Sequence, residues 1–157
     1  MTEHYSEVEI ITLPAFTAGR YQSISREPED ESGSKVRAWY EKQKFPGWKP
    51  RWFGFDVPVV EELQQKGMRG YESWVTVPAD AKESGEIEII DFNGGRYASL
   101  LISDPFTTPF ETIPQGWQKL VNWVKGSEHP FDDRPCLEEI IETPSGPALV
   151  LYLAIKE

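Results

Sequence analysis

Cysteine and histidine are almost missing from this chain, which has one Cys, Cys136, and two His, His4 and His129. A lone cysteine excludes an internal disulfide and suits a reducing compartment. No Cys–His partner pattern surrounds Cys136, so it reads as a small buried apolar residue. Two histidines without a cysteine cluster give no zinc-ligand spacing, and no metal is expected. Long hydrophobic runs are missing too. Nothing approaches the roughly 20 apolar residues that span a bilayer. The polar start MTEHYSEVE has no signal-peptide core, so the expectation is a cytoplasmic protein with no membrane partner. Basic residues are scarce, 16 against 26 acids, and the net charge of −10 argues against nucleic acid as a direct partner. The same negative field suits a cationic ligand. Gly94-Gly95 lacks the strand–GxGxxG–helix setting of a dinucleotide loop, and no P-loop or GxSxG occurs, so no cofactor is expected.

Aromatic residues, in contrast, are plentiful, and six of them are Trp, more than two small cores require. Such rings bury large areas and line ligand sites, which points to an aromatic-lined cavity. The chain also repeats itself. Glu7-Val8-Glu9-Ile10-Ile11 returns as Glu86-Ile87-Glu88-Ile89-Ile90, and Arg20-Tyr21 returns as Arg96-Tyr97. Self-similarity at a long offset signals a repeated architecture. The reading is an α+β fold of duplicated β-α-β-β units, about residues 6–80 and 85–156. They would form one domain over 1–157, pseudo-two-fold, with antiparallel sheets, two main helices and a central cleft.

Period-two alternation predicts strands at 7–11, 16–25, 51–57 and 71–77. In the last of these Tyr71, Ser73, Val75 and Val77 share one face, and Glu72, Trp74 and Thr76 share the other. Residues 26–34, REPEDESGS, read as a solvated loop running into a short helix with Val36, Trp39 and Tyr40 on one face. Residues 59–69 read as a helical turn or a loop. In the second half, strands at 86–91 and 96–102 flank Asn93-Gly94-Gly95, a strong hairpin signal. Residues 104–111 read as a loop holding Phe106 and Phe110. Thr112 would cap a helix with Pro114 in its first turn, Gly126 beyond its end, and Ile113, Trp117, Leu120, Val121 and Val124 as its apolar stripe. Residues 136–142 and 148–155 read as a closing hairpin.

The chemistry rests on acids set among rings. Glu138 and Glu139 fall on opposite faces of a strand, so one should point inward. Aligning the halves on Arg51 and Arg134 sets Glu138 opposite Phe55, which favours Glu138 as the inward acid and Glu139 as the outward one. A buried carboxylate is costly without a partner, whether a neighbouring Arg or Lys or a bound cation. At an offset of 78, Trp74 overlies Tyr152, and Glu72 shares the Trp74 face. An acid beside aromatic rings suits a cationic or flat heteroaromatic ligand. The candidate ligand-binding residues are Glu138, Trp74, Tyr152, Glu72, Phe55, Tyr97, Phe106 and Trp117. Should the chain be an enzyme, Glu138 and Trp74 would be the catalytic residues.

In order, LPAF, YESWVTVP, GGRYA, WQKLVNWV, PCLEEI and LYLAI resemble the GyrI-like, or AraC-type effector-binding, domain superfamily over nearly the whole chain. The resemblance implies duplicated β-α-β-β units around a cleft, with Glu138 on the pocket floor and Trp74 and Tyr152 lining it. Members include effector domains of multidrug-responsive transcription regulators, gyrase-inhibitor proteins and hydrolases of cyclopropane-containing genotoxins. The implied function is standalone binding of amphipathic, aromatic or cationic small molecules. The alternatives are hydrolysis of a strained electrophile, with Glu138 activating water, and a protein-binding module that uses its acidic surface. The matched region starts at about residue 7 with no helix-turn-helix before it, so no DNA-binding domain is expected.

Overall fold

The structure, a computed structural model, describes residues 4–157. It is α+β, with three helices and eight strands, and every named strand pairing is antiparallel. The strands are β1 (Glu9–Leu13), β2 (Phe16–Ser25), β3 (Trp52–Val57), β4 (Arg69–Val77), β5 (Glu88–Phe92), β6 (Gly95–Ile102), β7 (Leu137–Thr143) and β8 (Gly146–Ala154). The helices are α1 (Pro28–Lys42), α2 (Glu61–Gln65) and α3 (Pro109–Lys125). The chain divides into two compact units. One runs to Pro14 and resumes at Gly94, and the other is Ala15–Asn93. Neither coincides with the contiguous stretches 6–80 and 85–156.

In the unit Ala15–Asn93 the strands pair in the order β3-β4-β2-β5. Helix α1 lies on one face, where Val36 and Trp39 pack with Val75, Val77 and Ile87. The alternation read for β4 holds: Val75 and Val77 join this core, and Ser73 shares a 2.7 Å hydrogen bond with Ser32 of α1. Trp39 is core, and its indole N–H donates to Ser84 Oγ at 2.8 Å. A Cβ on Gly19 would come within 2.8 Å of the Trp39 ring, so only glycine admits this approach. The solvated loop expected over 26–34 is largely helix. Pro28 occupies the first turn with Glu29, Asp30 and Glu31, a start that proline's fixed φ and the helix dipole both favour.

In the other unit the order is β1-β6-β8-β7. Helix α3 covers one face, packing Leu120 and Val124 on Leu100, Ile102, Leu149, Leu151 and Leu153. A Cβ on Gly116 would meet the Ile102 side chain at 2.7 Å, so this glycine sets how closely α3 approaches its sheet. The β7–β8 hairpin forms as read, with Thr143 opposite Gly146. Helix α3 starts earlier than expected. Thr108, not Thr112, occupies the N-cap position, Pro109 takes the first turn, and Phe110 is helical and 88% exposed. Gly126 ends the helix as predicted.

The hairpin expected at Asn93-Gly94-Gly95 does not form. β5 pairs with β2, Phe92 opposite Phe16, while β6 pairs with β1, Gly95 opposite Leu13. A type I′ turn needs positive φ at both central residues. Gly94 has φ 76° and Gly95 φ 141°, but no described residue other than glycine has positive φ, Asn93 included. No helix among the described residues is long and apolar enough to cross a membrane.

Candidate functional site

Each unit has a sheet face on the side away from its own helix, and each such face carries a buried acid beside aromatic rings. In the unit Ala15–Asn93 that face holds Glu72, Trp74 and Phe55, three of the predicted residues. Phe55 stands opposite Glu72 and Phe53 opposite Trp74 on β3 and β4. Phe55 meets the Trp74 ring edge to face at 5.2 Å. Phe16 stacks on Phe53 at 5.2 Å, and Phe92 lies 5.4 Å from Trp74, which completes a group of five rings. Glu72 is 6% exposed. Its carboxylate accepts both Nε and Nη2 of Arg20 at 2.9 Å, a bidentate clasp, and the Trp74 indole N–H at 2.6 Å. Arg20 also donates to the exposed Glu88 at 3.2 Å.

In the other unit the face away from α3 brings together Tyr97, Tyr152 and Glu139. The two tyrosine rings meet edge to face at 6.1 Å. The Tyr152 hydroxyl donates to Glu139 Oε1 at 2.6 Å, and Glu139 is 4% exposed. The Tyr97 hydroxyl donates to the Pro135 carbonyl at 3.0 Å while Arg134 lies over its ring. Burial pushes the Tyr97 phenol up to about 12, against the opposing pull of Arg134.

The burial order expected for the paired acids is therefore reversed. Glu139 is the buried one. Glu138 is half-buried on the α3 side and accepts the Trp117 indole N–H at 3.0 Å. The reason is register. Tyr152 pairs with Leu137, so Glu139, two residues on, shares the Tyr152 face, while Glu138 stands opposite Leu151 on the α3 face. The alignment through Arg51 and Arg134 assigned Glu138 the opposite face, and a slip of one is enough to move a strand residue to the other face. The Arg-Tyr repeat misleads in the same way. Tyr21 packs against the α1-side core, whereas Tyr97 lies on the helix-free face.

Trp117 packs against the α3 core, apart from Tyr152 and Glu139. Phe106 stands elsewhere again, 45% exposed, and with His4, Ser103, Asp104, Ser145 and Pro147 it lines an open cleft of about 640 Å³. Glu139, Arg20, Phe16, Phe53 and Phe92, which lie on these two faces, were not among the candidates named from sequence. Arg20 was visible as a repeat element, but only strand pairing shows that it clasps an acid. Cys136 is half-buried, and desolvation raises its thiol pKa, which suits an inert side chain. Among the described residues no group of three His, Cys, Asp or Glu side chains is placed to hold a metal ion.

The family described as the GyrI-like small molecule binding domain matches residues 6–153. No curated protein matches the chain. Among solved structures, the C-terminal domain of EcmrR is 13% identical and superposes with a TM-score of 0.70, over 96% of this chain and 98% of that one. A protein described as a hydrolase from Listeria innocua is 11% identical, with a TM-score of 0.65 over 96% of this chain and 92% of that one. SAV2435, solved bound to tetraphenylphosphonium, is 12% identical, with a TM-score of 0.59 over 96% and 94%. At these identities the likeness is one of fold.

Proposed function

We propose a ligand class for a chain that belongs to the GyrI-like small molecule binding domain family: amphipathic aromatic compounds, cations among them, held on the helix-free sheet faces. One observation carries this reading. In each unit a buried carboxylate sits against aromatic rings on the face that its helix leaves uncovered, Glu72 with Trp74 and Glu139 with Tyr152. Rings supply stacking and cation–π contacts, and an acid supplies a polar anchor. The ligand bound by SAV2435 is a lipophilic aromatic cation, which is of this class.

Glu139, rather than Glu138, is the anchor in its unit. Glu139→Gln should weaken tetraphenylphosphonium binding by about tenfold, the scale of one charge-assisted contact. It should leave a neutral aromatic of similar size nearly unchanged. Glu138→Gln should alter neither. Tryptophan fluorescence and calorimetry read both ligands, and the opposite pattern would return Glu138 to the role expected from sequence.

A second reading rests on the 2.6 Å bond from Tyr152 to Glu139. A carboxylate oriented by a phenol can position a water or take its proton during hydrolysis of a strained electrophile. Turnover of an aryl cyclopropane that is lost in Glu139→Gln and reduced in Tyr152→Phe would establish it. No product above the uncatalysed rate would leave binding alone.

A further inference from the structure

Basic residues are few in this chain, and they are not spread evenly. Residues 35–51 hold six of the 16 bases and one of the 26 acids, Glu41. Two of the six are engaged: Lys35 pairs with Glu86 at 3.0 Å, and the Arg51 guanidinium lies over the Phe53 ring at 5.0 Å. The other four, Arg37, Lys42, Lys44 and Lys49, are exposed, and among the described residues none of them has an acid within ion-pair distance. Lys42 suits the last turn of α1, where the dipole favours a cation, but Lys44 and Lys49 lie beyond it. Solubility does not account for them either, because at a net charge of −10 each added cation brings the chain nearer to neutrality. The surface that carries them is built of packed rings. Arg37 lies 4.4 Å above the Trp52 ring, and Tyr40 meets Trp52 edge-on at 5.5 Å and Phe45 at 5.8 Å. Trp48 is tied down by its indole N–H, which donates to the Thr76 carbonyl at 2.8 Å, and by its backbone N–H, which donates to the Phe45 carbonyl at 3.1 Å. Trp48 is nevertheless 38% exposed.

We propose that this basic and aromatic surface, the end of α1 with residues 43–51, docks a short acidic segment of a partner protein. Carboxylates of such a segment would pair with Arg37, Lys44 and Lys49, and an apolar side chain between them would pack on Trp48. Trp, Tyr and Arg are the residue types that dominate binding energy at interfaces. Charge selects the occupant. The rest of the chain holds the other 25 acids and 10 bases. The positive potential therefore reaches only about one screening length, roughly 8 Å in physiological salt. A nucleic-acid strand or a lipid surface extends past that range and sets its phosphates against the acidic remainder, whereas a segment of a few residues ends within it. A second copy fits poorly. Across a two-fold axis the two basic surfaces repel, and a basic-on-acidic contact runs head to tail. Trp52 belongs to the α1-side core, so docking here holds whether or not the helix-free faces take a small molecule.

Fluorescence anisotropy of a fluorescein-labelled peptide, rich in Glu and carrying one Leu, tests this on the full chain, with folding checked by circular dichroism. The peptide should bind at low salt, and Lys44→Glu with Lys49→Glu should weaken it about tenfold or more. Lys125→Glu with Lys156→Glu makes the same change in net charge at exposed positions of the other unit, and should alter the affinity by less than about twofold. Equal losses from the two reversals would make the effect one of net charge and overturn the docking site. Absence of peptide binding at low salt would overturn it too. Oligothymidylate and phosphatidylserine vesicles are the competing probes. Tighter binding of either, lost in Lys44→Glu with Lys49→Glu, would give the surface to nucleic acid or membrane and overturn the proposal. Sedimentation velocity reads the remaining alternative: self-association of the parent that the same double reversal abolishes would make a second copy the occupant, again overturning it.

Discussion

Tyr97 shows what complete burial does to a titratable ring. Its phenol is pushed from 10.0 to about 12, chiefly by desolvation. The sign follows from linkage. The folded state holds the proton more tightly than the unfolded state, so the stabilisation is complete below pH 10 and is lost as pH rises towards 12. Tyr97→Phe should flatten the decline in stability over that window, by on the order of 2 kcal/mol in all. Urea titrations at several alkaline pH values measure it, and an unchanged slope would place the ring in water. The Arg20–Glu72 pair makes a different prediction at the same scale. Removing one partner strands a buried charge, so Arg20→Met should cost roughly 3 kcal/mol. Replacing both partners with Met should cost distinctly less than the sum of the single changes, which a double-mutant cycle resolves.

Among the elements, α1 and β4 are joined by a pair of buried hydroxyls. Ser32 and Ser73 share a 2.7 Å hydrogen bond there, and both residues are buried. A buried hydroxyl left without its partner costs more than the net worth of the bond. Ser32→Ala alone should lower stability by about 1–2 kcal/mol, and Ser32→Ala with Ser73→Ala should recover most of it. Thermal unfolding of the two variants decides the point, and additive losses would mean that the hydroxyls do not depend on each other. Helix starts were harder to read than helix ends. Gly126 closes α3 where a C-terminal glycine should. Both starts lie further upstream than expected, at Pro28 and Pro109, because a proline after a charged or polar run begins a helix as readily as it punctuates a loop.

For the whole molecule, 26 acids against 16 bases set a negative field around whatever the faces bind. Such a field acts on encounter more than on final affinity. The association rate of tetraphenylphosphonium should fall as salt rises from about 10 to 150 mM, over which the screening length shrinks from about 30 to 8 Å. The rate for tetraphenylborate should rise over the same range. Stopped-flow quenching separates the two, and salt-independent rates would show that the charge is too dispersed to steer ligands.

The sequence by itself determined every strand, to within two or three residues, because alternation of side chains is a local property written directly in residue order. It also determined which face of β4 carries Glu72 and Trp74 and the glycine that ends α3, since each depends on spacing within one stretch, and the family resemblance, which rests on the order of motifs along the chain. Only the tertiary structure decided which strands pair. Asn93-Gly94 looks like a hairpin turn, yet β5 and β6 take separate partners, because backbone torsions at Asn93 answer to long-range pairing as well as to local preference. Tertiary structure also chose Glu139 over Glu138 and brought Arg20 onto Glu72. Register between distant strands is fixed by packing across the whole sheet, and an error of one residue in it exchanges a buried carboxylate for a half-exposed one.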